Sequence, residues 1–274
     1  VTIALPAVAG AVPLPTDLDA DLERRFGGLR RLYGDAGYQR LRAARVAVVG
    51  LGGVGSWAAE ALARSGLAGL TLIDLDQVAE SNINRQVQAV GATVGQAKVD
   101  ALAQRIADIH PGCAVTRIEE FATPDNWPQL LPGPVDAVID ACDQSSAKLA
   151  LAAWALRSGV PLVTVGAAGG KQRPQAVEVA DLSETTHDPL LASLRQRLRK
   201  QGAPRQGRIG VCCVFSREAV AAPADAACNA EGDAGSDGSL NCHGYGSSVT
   251  VTATFGLVAA GEVLRRLTQP VAKS

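Results

Sequence analysis

The sequence predicts an α/β fold: a doubly wound, mainly parallel, Rossmann-like sheet, then a C-terminal extension of mixed strands, a basic helix and a terminal helix. Three observations predict it. Short apolar runs alternate with helical periodicity from Arg45 to Val165, the pattern of βαβ units whose strands are buried on both faces. Gly50, Gly52 and Gly55 fall at G-x-G-x-x-G spacing between the first run and the first helix. Asp74 closes the second run, where such folds meet a ribose.

In chain order, residues 1–20 read as a disordered, Ala/Pro-rich extension, apolar but without the basic start of a signal peptide. Residues 21–45 form a basic arm, with seven arginines against three acids. It fits a solvated helical lead-in and an arm that delivers a guanidinium to a phosphate equally well. The core, residues 46–170, follows. Arg45–Val49 is a strand, and Gly50, Gly52, Gly53 and Gly55 turn it into the helix Ser56–Ser65, which Gly66 stops. Glycines let backbone approach an anion closely, and a helix N-terminus offers it unpaired N–H groups. Leu70–Ile73 is the second strand, with Asp74 and Asp76 at its end.

Beyond it lies the polar loop Ser81–Gln86, holding Asn82, Asn84 and Arg85, where open α/β sheets place ligands. Gly95–Ile109 reads as a helix, because Val99, Leu102, Ile106 and Ile109 recur at helical spacing. Lys98 sits in its first turn, where a cation opposes the helix dipole by about 0.3–1 kcal/mol. An anionic ligand would account for it; an ordinary surface lysine is the other reading. Ala114–Ile118 is a third strand, and Thr123-Pro124-Asp125 opens a short helix with Thr as cap. Val135–Asp140 is the fourth strand, Ser145–Ser158 a helix and Pro161–Val165 the fifth strand. Of the two acids after the fourth strand, Asp143 lies further out and takes a ligand role, to ribose, magnesium or substrate; Asp140 takes a structural one. His110 and Cys142 read as structural.

Residues 171–274 form the remaining part of the same domain. Gly166–Gly170 is a loop and Gln175–Val179 a strand. The helix Leu190–Lys200 bears Arg195, Arg197, Arg199 and Lys200, with Arg205 and Arg208 after it and no acid between Leu190 and Ile209. It suits an exposed amphipathic face, or a polyanion such as RNA, whose neutralised phosphates release counterions. Ile209–Phe215 is a strand, and residues 219–240 are a small, Gly-rich, acidic stretch expected to be a mobile loop. From Val249 to Phe255 the pattern alternates like a strand, while Leu257–Leu267 looks helical.

Composition narrows the function. A net charge of −1 argues against coating by nucleic acid, so any such contact is a local patch, and no DNA partner is expected. The six cysteines include no C-x-x-C pair, which fits reduced cytoplasmic thiols better than disulfides or zinc. The run Val249–Gly261 is too short for a membrane span. Asn82, Asn84, Arg85 and Lys98 supply more positive charge and amide than a dinucleotide's pyrophosphate needs. A triphosphate with magnesium does need it, which points to ATP and attack on its α-phosphate.

The segments G-L-G-G-V-G, L-I-D-L-D, S-N-I-N-R-Q, G-Q-A-K and D-A-C-D resemble the ubiquitin-activating-enzyme-like, ThiF-type superfamily of adenylating enzymes. R-F-G-G-L-R-R-L-Y-G, G-V-G-S-W-A-A-E-A-L-A-R, T-P-D-N, D-P-L, C-V-F-S and V-T-A-T-F-G resemble, within it, the tRNA threonylcarbamoyladenosine dehydratase family. The match runs from about Arg25 to Leu267, apart from a stretch near 221–240. It implies a homodimer that uses ATP and magnesium to cyclise threonylcarbamoyladenosine beside the tRNA anticodon, by adenylating the threonyl carboxylate. By resemblance the glycine turn cradles the nucleotide and Asp74, with Asp76 beside it, holds the ribose. Asn82, Arg85 and Lys98 take the phosphates, with Asn84 beside them, and Asp143 lies by the magnesium or the α-phosphate. Arg25 is given across the dimer, and the last segment is helical. Open alternatives are a sulfur or thioester role for Cys213 or Cys242, a cysteine desulfurase or sulfur-acceptor partner, and a sodium or potassium ion. The rivals are an activator of a ubiquitin-like sulfur carrier, which the missing C-x-x-C pairs disfavour, a nicotinamide oxidoreductase, which Arg85 and Lys98 disfavour, and a non-catalytic tRNA-binding scaffold.

Overall fold

The apolar runs become the inner strands of one sheet in the computed structural model, which describes residues 17–221 and 245–269. Of the expected N-terminal extension only residues 17–20 fall within that range, and they open the first helix. The expected mobile loop lies outside it from residue 222 onward, and Cys242 lies outside it as well.

Seven strands form the sheet: β1 Arg45–Val49, β2 Gly69–Ile73, β3 Ala114–Ile118, β4 Ala137–Asp140, β5 Leu162–Val165, β6 Val177–Asp181 and β7 Cys212–Ser216. Their order is β3-β2-β1-β4-β5-β7-β6, parallel throughout except that β6 runs antiparallel to β7. The winding reverses between β1 and β4, and such a switch opens a crevice at the strands' carboxyl ends. The inner strands are apolar on both faces because helices cover both. Helices α2 (Gly55–Ala63), α3 (Lys98–Ile109) and α6 (Val249–Thr268) bury Leu62, Leu102 and Phe255 on one side. Helices α4 (Ser145–Ser158) and α5 (Pro189–Lys200) bury Leu151, Leu191 and Leu198 on the other.

The terminal segment is helical from Val249, capped by the Ser248 hydroxyl, which accepts the Thr250 N–H. Val251, Phe255, Ala259 and Val263 are buried at four-residue spacing, so helical periodicity prevails over the short alternation. Gly256 lets α6 lie against α2, since a Cβ there would stand 2.4 Å from the Val54 carbonyl oxygen. The expected short helix after Thr123 is instead a run of hydrogen-bonded turns. Thr123 and Asn126 exchange side-chain-to-backbone bonds as a helix cap does, yet Pro128 has no N–H with which to continue. The helix expected from Gly95 begins at Lys98, because Gly95 takes a positive φ of 86°.

The basic arm is the helix α1 (Asp17–Ala43), kinked at Gly34, whose φ is 70°. Its first half docks on the carboxyl end of α3. Arg25 pairs with Asp21 at 2.7 Å and donates to the carbonyls of Asp108 and Ile109, where a cation favours the helix dipole. Phe26 packs on the His110 ring at a centroid distance of 4.7 Å. Burial, with the charges of Arg42 and Arg25, holds the His110 pKa below its ordinary 6.5.

The unfolded chain therefore takes up this proton first, and stability falls as pH drops below 6.5 toward the lower folded value. In urea titrations at pH 7.5 and 5.5, the wild-type chain should lose more stability on acidification than His110→Gln. Equal losses would show that His110 does not titrate in this way.

Candidate active site

The crevice over β1 and β4 holds a cavity of about 410 Å³, within the range of small-molecule sites. Its floor is the glycine turn, in which each glycine answers a different demand. Gly50 has φ 84°, and a Cβ on it would meet the Cys142 amide nitrogen at 2.8 Å. A Cβ on Gly55 would stand 1.8 Å from the Gly50 carbonyl oxygen. These two are glycine so that the turn can close. Gly52 has nothing within 4 Å of where its Cβ would be, and it lines the cavity. Its missing side chain leaves room for an occupant. Gly53 also lines the cavity, close to Arg85 and Thr252.

Asp74, Asp76, Asn82, Arg85, Lys98 and Asp143 line the same cavity. Gly55 does not, being packed beneath the turn. Nor does Asn84, whose amide donates to the Ser247 carbonyl and whose oxygen accepts from Arg85; it braces the rim. Asp74 turns one oxygen to the Leu51 N–H at 2.6 Å and the other to the Asp76 N–H at 2.9 Å, so it sets the turn. Burial pushes its pKa up against the pull of Lys98. Asp76 is the more accessible acid, with half of its side chain exposed.

Lys98 is only 6% exposed, which removes the surface-lysine reading. Its Nζ lies 2.6 Å from Asp76 and 3.8 Å from Asp74, so the two acids hold a cation at the start of α3. Arg85 is held differently. Trp57 on α2 donates its indole N–H to the Arg85 carbonyl, and the guanidinium donates to the Ser81 carbonyl and the Asn84 side chain. Among the described residues no acid lies within ion-pair distance of Arg85, and burial lowers its pKa. Asn82 accepts the Ala79 N–H, which fixes the start of this loop.

Sequence reasoning missed several lining groups: Phe121, Tyr245, Ser247, Thr252 and the backbone of Gly166–Gly169. They come from three distant segments, and no spacing rule unites them. The acids Asp74, Asp76, Glu120 and Asp143 outnumber the cations Arg85 and Lys98 in this lining. The described residues of one chain therefore do not make the cavity strongly positive.

The other expected residues lie elsewhere. Arg25 sits at the carboxyl end of the twelve-residue α3, about 18 Å along the helix from Lys98. Arg195 points inward and donates to the carbonyls of Leu182 and Thr185, a structural use. Arg205 and Arg208 are exposed, while Arg197, Arg199 and Lys200 crowd the last turn of α5. Cys213 is fully buried in β7, and burial drives its thiol pKa well above the ordinary value, so it offers no thiolate. Asp140 is structural, as expected: it is fully buried and bonded to Lys148, Thr164 and Cys142. Among the described residues no cluster of three or more His, Cys, Asp or Glu could hold a metal ion, and no helix is long and apolar enough to cross a membrane.

A mainly parallel α/β sheet with an open glycine turn in the crevice at its switch point marks a nucleotide-binding α/β protein. The chain belongs to the ThiF family, whose model matches residues 25–274. It is 44% identical over 256 residues to the tRNA threonylcarbamoyladenosine dehydratase of Escherichia coli, covering 91% of this chain and 96% of that one. It is 41% identical over 249 residues to the enzyme of the same name from Haemophilus influenzae, covering 89% and 94%. A crystal structure of the E. coli enzyme in complex with ATP superposes with a TM-score of 0.81 at 42% identity, covering 93% of this chain and 97% of that one.

The contrast among the glycines is testable. Gly52→Val should stay folded, with a melting temperature near that of wild type, while ATP affinity falls by roughly tenfold or more, about 1.4 kcal/mol. Gly50→Ala forces a Cβ into a positive-φ position and should cost about 1–3 kcal/mol of stability. Calorimetry and ATP titration of both proteins check this; unchanged ATP affinity in Gly52→Val would remove the phosphate role.

Proposed function

We propose that this chain is an ATP-dependent tRNA threonylcarbamoyladenosine dehydratase that forms AMP and pyrophosphate. The observation that carries the reading is the open space over Gly52, in a cavity lined by Arg85 and Lys98. Near-full-length similarity to enzymes of that name supports it, as does the E. coli enzyme's crystallisation with ATP and with AMP.

A threonyl carboxylate is a poor electrophile. Its oxygen attacks the α-phosphorus of ATP, the bond to the β-phosphate oxygen breaks, and pyrophosphate leaves. Lys98, held in place by Asp76, and Arg85, held through its loop by Trp57, face the phosphates as charge develops there. Asp76, being the more accessible acid, takes the ribose hydroxyls while Asp74 holds the turn. The ureido group of the same modification then attacks the mixed anhydride and AMP departs. That step is intramolecular, so its effective concentration is high and no enzyme nucleophile is required. The thiols accord with this: half-buried Cys142 donates to Asp140, and in both Cys142 and buried Cys213 the pKa is held well above the ordinary value.

Asp143 would hold a magnesium ion with the sparse protein ligation usual for it, and the ion would supply positive charge against the phosphates. The acid-rich lining also gives Arg25 a purpose. In a homodimer, Arg25 of a second copy supplies the further cation that the lining lacks. The tRNA lies along Arg197, Arg199, Lys200, Arg205 and Arg208, and Arg195 holds that helix to its loop. Residues 46–170 bind ATP, and the arm and the C-terminal part serve the dimer and the tRNA. A tRNA-modifying enzyme of this kind works in the cytoplasm. Sulfur-carrier activation is less favoured, since no C-x-x-C pair is present.

Incubation with ATP, magnesium and threonylcarbamoylated tRNA should lighten the modified nucleoside by one water, as read by mass spectrometry. Lys98→Ala and Arg85→Ala should each lower the rate by about 10²–10³; full activity in either would remove the phosphate assignments. For the dimer, Arg25→Ala and Lys98→Ala proteins, each inactive alone, should regain activity on mixing and subunit exchange. The mixed dimer has one site with both cations. No recovery despite confirmed exchange would place Arg25 outside catalysis.

A further inference from the structure

Lys148 is a fully buried lysine that the proposed chemistry does not use. Its Nζ lies 3.0 Å from Asp140 Oδ2 and 3.2 Å from the Thr164 hydroxyl, and both carboxylate and ammonium are 0% exposed. The other Asp140 oxygen accepts the Cys142 N–H and thiol. That carboxylate therefore holds the turn Ala141–Asp143, which packs against Gly50 and carries Asp143 into the cavity.

A second buried acid, Asp188, serves the opposite wall. Burial alone would lower the Lys148 pKa, and the charges of Asp140 and Asp188 are among those that overcome it and raise it. Asp188 is 4% exposed and divides its oxygens between two tasks. One accepts the Leu191 N–H and caps α5, and the other accepts the Ala167 N–H at 2.8 Å. Ala167 belongs to the cavity's opposite wall, Gly166–Gly169. Gly166 must be glycine for this contact, since a Cβ would stand 2.1 Å from Asp188 Oδ2.

We infer that Asp140, Lys148, Thr164 and Asp188 form one buried positioning network that sets both walls of the ATP site: Asp140 holds one wall, Lys148 ties it to Thr164 on β5, and Asp188 holds the Gly166–Ala167 wall that follows β5 directly. The inference rests on the ATP reading above. Stability does not explain the arrangement, because buried ion pairs are often replaceable by apolar groups at no loss. Geometry does. Two loops must stay in register around one ligand, and one of the acids also caps the basic helix.

Three variants test it: Lys148→Met, Thr164→Val, which removes one bond to Asp140, and Asp188→Asn. Asparagine still caps α5 but cannot accept both N–H groups. Thr164→Val should raise the half-saturating magnesium concentration, because it loosens the Asp143 turn. Asp188→Asn should raise the KM for ATP about tenfold, because it releases the Ala167 wall. Misplacement of this kind can cost up to about 10²-fold. The double variant should lose less than the product of the two, since both loosen the end of β5 that leads into Gly166 and Ala167. A drop in melting temperature alone, with KM and magnesium dependence unchanged in all variants, would overturn the network, as would independent, multiplying effects. If Lys148→Met fails to fold, the two milder variants decide the matter. A wild-type chain that binds no ATP would instead sink the ATP reading, a result that calorimetry distinguishes before any variant is made.

Discussion

The site depends on the contact of three backbone segments with no side chain between them. Gly55 lies against the Gly50 carbonyl, and Gly50 lies against the turn that follows β4. Any Cβ at these places would push the turn away from the strand ends and close the crevice that the switch between β1 and β4 opens. With the turn closed, Leu51 offers its N–H to Asp74, and Asp74 in turn orders Asp76. Asp76 then holds Lys98 at the start of α3. A chain of local contacts thus carries the cation to the cavity, and each contact assumes the one before.

Electrostatics is the second constraint, and the described residues of one chain do not meet it. Four lining carboxylates face two lining cations, which would repel a triphosphate unless more positive charge arrives with it. In the reading proposed above, magnesium and Arg25 of a second copy would supply that charge. In its own chain Arg25 is bound to the far end of α3, where it serves as a helix-end cation. Within its own subunit that role is structural.

Much of the core was legible because its signals are local. The alternation of apolar runs with helical periodicity placed the five strands up to Val165 within two residues, and the glycine spacing located the floor of the cavity. What one glycine does that another does not was illegible. Gly52 and Gly55 are the same residue in one motif, and only the direction of the missing Cβ separates an open cradle from a packed turn. Lys98 likewise read as an electrostatic oddity, because its partner Asp76 is distant in sequence and adjacent only once α3 meets the end of β2. Asn84 and Arg195 carried the right chemistry but spend it on neighbouring carbonyls. The helix α6 defied its own first residues, since burial against α2 outweighs a short alternation. Lys148 gave no signal at all, as a single lysine in an alanine-rich helix announces nothing until Asp140 is placed beside it.

The central claim is that this cavity is built for the triphosphate of ATP and not for a nicotinamide dinucleotide, which shares the same glycine turn. Isothermal titration of the purified chain with magnesium and ATP, repeated in excess NAD, tests it most directly. The account predicts saturable ATP binding that NAD does not displace and that weakens when magnesium is chelated. Tight NAD binding with no response to ATP would contradict it.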